Sequence, residues 1–168
     1  HRIQATDAPD LAVRWNCKAG KCGSCSAEIN GEPGLTCMTR LSDYPENETL
    51  TVQPMKTFPL IKDLVTDVSW NYEVNKQIQP YQHTETDGDP IMFQKEVDRV
   101  QEFRKCIECF LCQDVCHVLR SHDMKQEFAG PRFMIRNAGL EMHPLDQGDR
   151  LFWGIGHVGF IDLAKGKI

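Results

Sequence analysis

Between residues 10 and 16 apolar and polar side chains alternate, with Leu11, Val13 and Trp15 on one side, which predicts a half-buried strand. Residues 18–24 are small, cationic and glycine-bearing, and read as a loop. Ser26–Ile29 forms a short strand running into Asn30-Gly31, a dipeptide suited to a tight hairpin turn, and the chain returns through residues 34–39. That hairpin brings Cys37 back opposite residues 24–26. Residues 49–52 supply one more strand. Beyond Pro54 the period changes. Leu60, Ile61, Leu64, Val65 and Val68 recur at helical spacing, predicting a helix from Pro59 to about Asn75 whose apolar stripe packs against the units on both sides. Residues 79–90 are polar, with proline and glycine, and read as a linker or surface loop. A second helix begins near Gln94, with Val97, Val100 and Phe103 three apart. Residues 115–121 and 132–142 read as further helices, broken by Gly130-Pro131 and stopped by Pro144. A strand-rich first part followed by helices is an α+β arrangement, without repeats or low-complexity tracts.

Composition narrows the function classes. The chain has 168 residues, 40% hydrophobic and 26% charged, enough for one ordinary domain or two small ones. A formal net charge of −5 with no basic run argues against nucleic-acid binding. No stretch reaches the roughly 18–20 apolar residues of a membrane span. The most hydrophobic segment, residues 151–163, is interrupted by Gly154, Gly156, His157, Gly159 and Asp162. Membrane association is therefore expected only through partners. The chain opens on His1 with no targeting segment before it, and reads as a fragment whose start lies upstream.

The chemistry lies in the cysteines. All eight fall into two groups, Cys17-x4-Cys22-x2-Cys25-x11-Cys37 and Cys106-x2-Cys109-x2-Cys112-x3-Cys116. The first spacing suits a [2Fe–2S] centre and the second a [4Fe–4S] centre. A secreted disulfide scaffold is the plainer reading of many cysteines in a small chain, but such scaffolds spread them around loops, whereas these crowd into two windows. In the first group Gly20 and Gly23 let the backbone turn sharply and aim amide N–H groups at sulfur, while Arg14, Lys18, Lys21 and Arg40 offset negative charge. Each cation taken alone reads as part of a solvated loop. Structural zinc is the rival, but zinc motifs usually pair two C-x2-C units, and this window has one.

In the second group Ile107, Phe110 and Leu111 are placed to shield a cubane, and Cys116 falls in the next helical turn. Where two clusters are neighbours, the fourth cysteine of such a run serves the other cluster. His117, His122 and His143 read as surface or packing residues. The G-x-G-x-x-G string at residues 154–159 lacks room for a dinucleotide-binding unit. Asp87 and Asp89 lack calcium-loop spacing. No Ser–His–Asp or paired-carboxylate constellation stands out.

The order of parts, with the stretches DLAVRWNCKAGKCGSCSAEINGEPGLTCMTR, EFRKCIECFLCQDVCHVLR and GPRFMIRNAGLEMHPLD, resembles the iron–sulfur subunit of succinate dehydrogenase/fumarate reductase (respiratory complex II), actinobacterial type, from about Ala8 to Arg150. The resemblance implies a β-grasp [2Fe–2S] ferredoxin-like domain, incomplete at its N-terminus, over residues 1–56. A connecting helix and linker over 57–94 and an α-helical ferredoxin domain over 95–168 follow. It implies that Cys17, Cys22, Cys25 and Cys37 hold the [2Fe–2S], Cys106, Cys109 and Cys112 the [4Fe–4S], and Cys116 the [3Fe–4S]. It also implies electrons passing from a flavoprotein (FAD) subunit to quinone at a membrane anchor, with the chain peripheral on the cytoplasmic face of the bacterial inner membrane. Near residue 160 the family pattern calls for more cysteines, and GIGHVGFIDLAKGKI has none. The [4Fe–4S] and [3Fe–4S] ligand sets are then incomplete, as expected of a truncated or frameshifted product. The alternatives are an iron–sulfur subunit of another flavin-linked dehydrogenase, which usually carries two complete C-x2-C-x2-C-x3-C runs, and a zinc-stabilised interaction module.

Overall fold

The computed structural model describes residues 2–83, 91–148 and 150. A short helix α1 (Arg2–Thr6) leads into an antiparallel sheet in which β1 (Ser26–Ile29) lies between β2 (Glu32–Leu35) and β3 (Val52–Gln53). The hairpin turns at Asn30 and Gly31, both left-handed with φ of 49° and 86°. That is the geometry of a type I′ turn, which matches the twist of the flanking strands. Register follows from it: Ser26 faces Leu35 and Ile29 faces Glu32. The Asn30 carboxamide oxygen accepts the Thr51 N–H at 2.9 Å and fastens β3 beside β1. As the central strand, β1 buries all four of its residues.

Three sequence expectations are corrected here. Residues 10–16 belong to no strand. They lie along a second small hairpin instead, where Ala12 donates to the Asp63 carboxylate at 2.8 Å and accepts from Leu64 N–H at 3.2 Å. That hairpin, β4 (Leu60–Lys62) with β5 (Val65–Thr66), replaces the first half of the helix expected from Pro59 to Asn75. Asp63 turns it at φ 49°, a conformation Asp tolerates better than most residues, and β-branched Ile61, Val65 and Thr66 favour strands. Leu60 and Ile61 consequently face solvent, each 60% exposed, and do not form a core stripe. Only α2 (Ser69–Gln77) of that helix exists. The strand expected at residues 49–52 sits slightly later, at β3.

The helical part comprises α3 (Gln94–Arg104), α4 (Leu111–Val115), α5 (His117–Arg120) and α6 (Pro131–Glu141). Helix α3 starts where the sequence placed it, with the Glu96 carboxylate accepting the Phe93 N–H at 2.7 Å. Helix α6 has Pro131 in its first turn, where the missing N–H leaves no bond unmade. The helix expected over residues 115–121 is two short pieces. Cys116, at φ −67° and ψ 114°, interrupts them and then accepts from Leu119 N–H at 3.1 Å and Arg120 N–H at 2.8 Å. Cys116 thus stands at a helix joint and not within a helical turn. Of the polar segment 79–90, residues 84–90 lie outside the described residues, as do the G-x-G-x-x-G string and the segment 151–163.

The apolar core sits between the sheet and the helices. Met55, Phe58 and Phe110 form its centre, flanked by Val68, Trp70 and Leu111. Phe58 and Tyr72 each meet Phe110 edge-on, at 6.2 and 5.9 Å between ring centres, and Trp70 meets Phe133 likewise at 6.4 Å. Among the described residues, no helix is long and apolar enough to cross a membrane.

Candidate metal centres

All eight cysteines are free thiols. The first group occupies the loop before β1 and the end of β2. Lys18, Gly20 and Gly23 adopt left-handed φ of 55°, 64° and 68°, curling residues 17–25 tightly. At Gly20 a β-carbon would lie 2.9 Å from the Met38 sulfur. The curl points backbone at sulfur: Lys21 and Ala19 N–H groups reach Cys17 Sγ at 3.2 and 3.4 Å. The hairpin register does the rest. Thr36 N–H and Oγ1 both meet the Cys25 carbonyl at 3.2 Å, so the neighbouring Cys37 returns beside Cys25, as the turn position predicted.

The four thiols stand as two pairs. Cys22 is drawn down to about 6 by hydrogen bonds, foremost from the Ser24 hydroxyl and then from the backbone and thiol of Cys17. At Cys25 burial works upward, but hydrogen bonds from the backbone and thiol of Cys37 and from Thr36 outweigh it, and the net shift is downward. Cys37 is raised because its thiol donates to Cys25. A cavity of about 280 Å³ opens among Cys22, Cys25, Cys37, Thr36, Val13 and Trp15. Among the described residues, no three of His, Cys, Asp or Glu gather closely enough to hold a single metal ion. Two hydrogen-bonded cysteine pairs beside a cavity, with amides aimed at sulfur, suit a binuclear iron–sulfur centre, which takes two thiolates per iron. Of the expected cations, Lys18 lies over the Trp15 ring at 4.6 Å and Arg14 lines the cavity, while Lys21 and Arg40 are exposed.

The second group curls by the same device. Glu108 and Phe110 take φ of 55° and 60°, and α4 begins directly after Phe110. Cys112 is raised first by burial and then by the neighbouring Cys109 and Cys106 thiols, so these three share one locality. Three thiols on one short loop suit three corners of a cubane. Of the expected shielding residues, Phe110 is buried, and Ile107 and Leu111 are half-buried. Arg132 of α6, itself buried, pairs with the Glu108 carboxylate. Cys116 lies beyond α4 as a single thiol of its run. Taken alone it supplies a single ligand toward a [3Fe–4S] centre. Of the histidines, His117 meets His122 edge-on at 6.2 Å, and His143 accepts the Leu145 N–H at 3.3 Å while packing against Tyr81.

Sequence reasoning missed the groups that join the two thiol loops. Gly23 abuts Cys109 so closely that a β-carbon there would lie 2.5 Å from Cys109 Cα. The Ser26 hydroxyl lies 2.8 Å from the Cys109 carbonyl and 2.9 Å from that of Gly23. Behind this contact Glu28, wholly buried on β1, pairs with Lys56 at 2.9 Å and Arg120 at 2.8 Å. Asp114 of α4, also wholly buried, accepts the Thr57 N–H at 3.0 Å. Burial opposes the charge on both carboxyls. At Glu28 the two cations prevail and its pKa is lowered, whereas at Asp114 burial prevails and its pKa is raised. Only the C-x2-C-x2-C spacing and Gly23 were visible in sequence; the farther partners of Ser26 and Glu28 lie 83 and 92 residues away (109 − 26 and 120 − 28).

Comparison with known proteins bears on the family to which the chain is related. Residues 1–73 match a 2Fe-2S iron-sulfur cluster binding domain. The fumarate reductase iron-sulfur subunit of Mycobacterium tuberculosis is 35% identical over 143 residues, covering 82% of this chain and 56% of that protein. The corresponding subunit of Wolinella succinogenes is 31% identical over 151 residues, covering 86% and 62%. A chain of the Mycobacterium smegmatis Sdh1 complex in the apo form superposes with a TM-score of 0.85 at 63% identity, covering 89% of this chain and 64% of that one. The chain therefore spans between half and two thirds of the length of these relatives. On these likenesses, the chain belongs to the family of succinate dehydrogenase and fumarate reductase iron–sulfur subunits.

Proposed function

We propose that this chain carries electrons between a flavoprotein subunit and a quinone held at a membrane anchor, as part of a succinate dehydrogenase or fumarate reductase. The observation that carries the reading is the arrangement of the first thiol loop, two cysteine pairs with amides aimed at sulfur, seated directly on the second loop at Cys109. In this reading residues 1–56 form a β-grasp ferredoxin-like unit, residues 57–94 join it to the rest, and residues 95–168 belong to a helical ferredoxin unit. Cys17 and Cys22 hold one iron of a [2Fe–2S] centre, and Cys25 and Cys37 the other. Cys106, Cys109 and Cys112 hold three corners of a [4Fe–4S] centre, and Cys116 serves a [3Fe–4S] centre. The last two assignments require more ligands than the eight cysteines supply. The chain sits on the cytoplasmic face of the inner membrane through its partners.

When bound, such clusters supply reversible one-electron storage. The chain's own residues position and insulate them. The N–H groups of Ala19 and Lys21 stabilise negative charge on Cys17, and the Ser24 hydroxyl does so on Cys22. Phe110 and Met55, both buried, give the cavity beside the two loops part of its apolar wall.

The test is the Cys37→Ala variant, purified without oxygen. Loss of the rhombic EPR signal of the reduced [2Fe–2S] centre is expected, with the far-UV spectrum retained. An unchanged signal would refute the ligand assignment. Zinc without acid-labile sulfide in the wild-type chain would instead identify a zinc-stabilised module.

A further inference from the structure

We propose that electrons pass between the two thiol groups at the contact of Gly23 and Ser26 with Cys109, and that Ser26 is the positioning residue of this step. The inference rests on reading both groups as iron–sulfur sites. Electron tunnelling weakens steeply with distance, and more steeply across empty gaps than through atoms in contact. The chain closes that gap where Gly23 meets Cys109. Gly23 lies between Cys22 and Cys25, and its lack of a side chain lets Cys109 come so near that a β-carbon would fall 2.5 Å from Cys109 Cα and 2.9 Å from its N. Its φ of 68° also disfavours any other residue.

Ser26 then fastens the approach. Its single hydroxyl proton lies between the carbonyls of Gly23, at 2.9 Å, and Cys109, at 2.8 Å. One side chain thus bridges the Gly23–Ser24 peptide of the first loop and the Cys109–Phe110 peptide of the second, its one proton shared between the two carbonyls. Ser26 itself is 8% exposed on the central strand, and a cavity of about 160 Å³ beside the contact is lined by Cys22, Cys25 and Cys109 together. In the step, one electron leaves the first centre, which is oxidised by one equivalent, and enters the second, which is reduced by one. No bond breaks and no proton moves. In succinate oxidation the electron originates on a reduced flavin and leaves to a quinone; in fumarate reduction the same step runs in reverse, from a quinol to the flavin.

The experiment uses the complex purified anaerobically with its partner subunits, as wild type, Ser26→Ala and Ser26→Thr. Iron, sulfide and integrated EPR signals give the content of each centre, redox titration gives both potentials, and freeze-quench EPR follows electron exchange between the centres. Ser26→Ala is expected to keep both centres and both potentials but to slow the exchange about tenfold. Ser26→Thr, which retains the hydroxyl, is expected to restore the rate. Exchange at the wild-type rate in Ser26→Ala, with both centres present, overturns the proposal. Loss of either centre in Ser26→Ala makes the contact structural and also overturns it. A wild-type complex lacking one of the two centres removes the underlying reading, which the content measurement reveals before any rate is compared.

Discussion

Glu28 shows how one residue can carry a constraint that its neighbours in sequence do not announce. A carboxylate with no exposed surface is expensive unless charge and hydrogen bonds compensate it, and here Lys56 and Arg120 do so from opposite sides. Asp114 lies in the same pocket, shares Arg120 at 4.0 Å, and has its pKa raised chiefly by burial. The two acids therefore pull in opposite directions with pH. Glu28 has a lowered pKa, so its contribution is complete above the ordinary carboxylate range and is lost only as pH falls through the folded value. Asp114 opposes it, since protonation favours the fold as pH falls through its raised value. Replacing Glu28 by Gln removes the compensated anion, leaving Lys56 without its counter-charge and Arg120 with Asp114 alone, at 4.0 Å. Both cations reach solvent in part, which limits the damage to about 2 kcal/mol, below the usual cost of breaking a fully buried pair. Denaturant unfolding of wild type and Glu28→Gln is expected to differ by the same amount at pH 7.5 and pH 5.5. A difference that grows on going to pH 5.5 would mean that Glu28 takes up a proton there and is not held low.

Between elements, the decisive joints are polar. Gln113, wholly buried on α4, accepts the Arg132 N–H at 3.1 Å, donates to the Ala129 carbonyl at 2.9 Å, and reaches Asn71 Oδ1 of α2 at 3.2 Å. It thus completes the start of α6 and ties three helices together. Gly130, at φ 93°, leaves it room, because a β-carbon there would lie 2.1 Å from the Gln113 oxygen. Gln113→Leu has nearly the same volume but strands those partners, and is expected to destabilise the chain by about 2–3 kcal/mol in thermal or denaturant unfolding. A loss below about 0.5 kcal/mol would mean that water replaces the side chain without penalty. Such joints mark the limit of what sequence could show. The Asn30-Gly31 hairpin, the start of α3 and the Gly130-Pro131 break were legible because a turn dipeptide, an apolar period and a proline act locally. The helix expected from Pro59 was misread because Leu60, Ile61, Leu64 and Val65 satisfy a helical period and a hairpin's alternation about equally. Asp63 in a left-handed turn decided between them, held by Ala12 from 51 residues away (63 − 12). The two cysteine groupings were legible as spacings. The pairing of Cys25 with Cys37 followed from the hairpin, whereas the contact of Gly23 with Cys109 depends on the tertiary fold alone.

At the scale of the whole molecule, the sheet and the helices share one interior instead of each enclosing its own. Met55 and Phe58, from the segment after β3, pack with Phe110 from the second cysteine loop, and Tyr72 of α2 closes over the same ring. Thr57 reaches Asp114 within this layer, and Ser26 reaches Cys109 beside it. Breaking the sheet away from the helices would therefore expose the main apolar cluster and leave the Glu28 and Asp114 carboxyls without their partners. Two units joined this way unfold together, since no stable half remains after separation. In the wild-type protein the visible absorbance of the first centre and the far-UV signal of the helices are expected to be lost in one coincident transition. Phe110→Ala deletes the ring at the middle of the layer, at a cost of about 3–5 kcal/mol, while leaving the first loop's four cysteines untouched. It is expected to lower the midpoint and to split the transition, the helical signal departing before the visible absorbance of the first loop. Coincident curves in the variant would mean that the polar bridges alone keep the units cooperative, and a split already present in the wild type would mean that the shared interior is too weak to couple them.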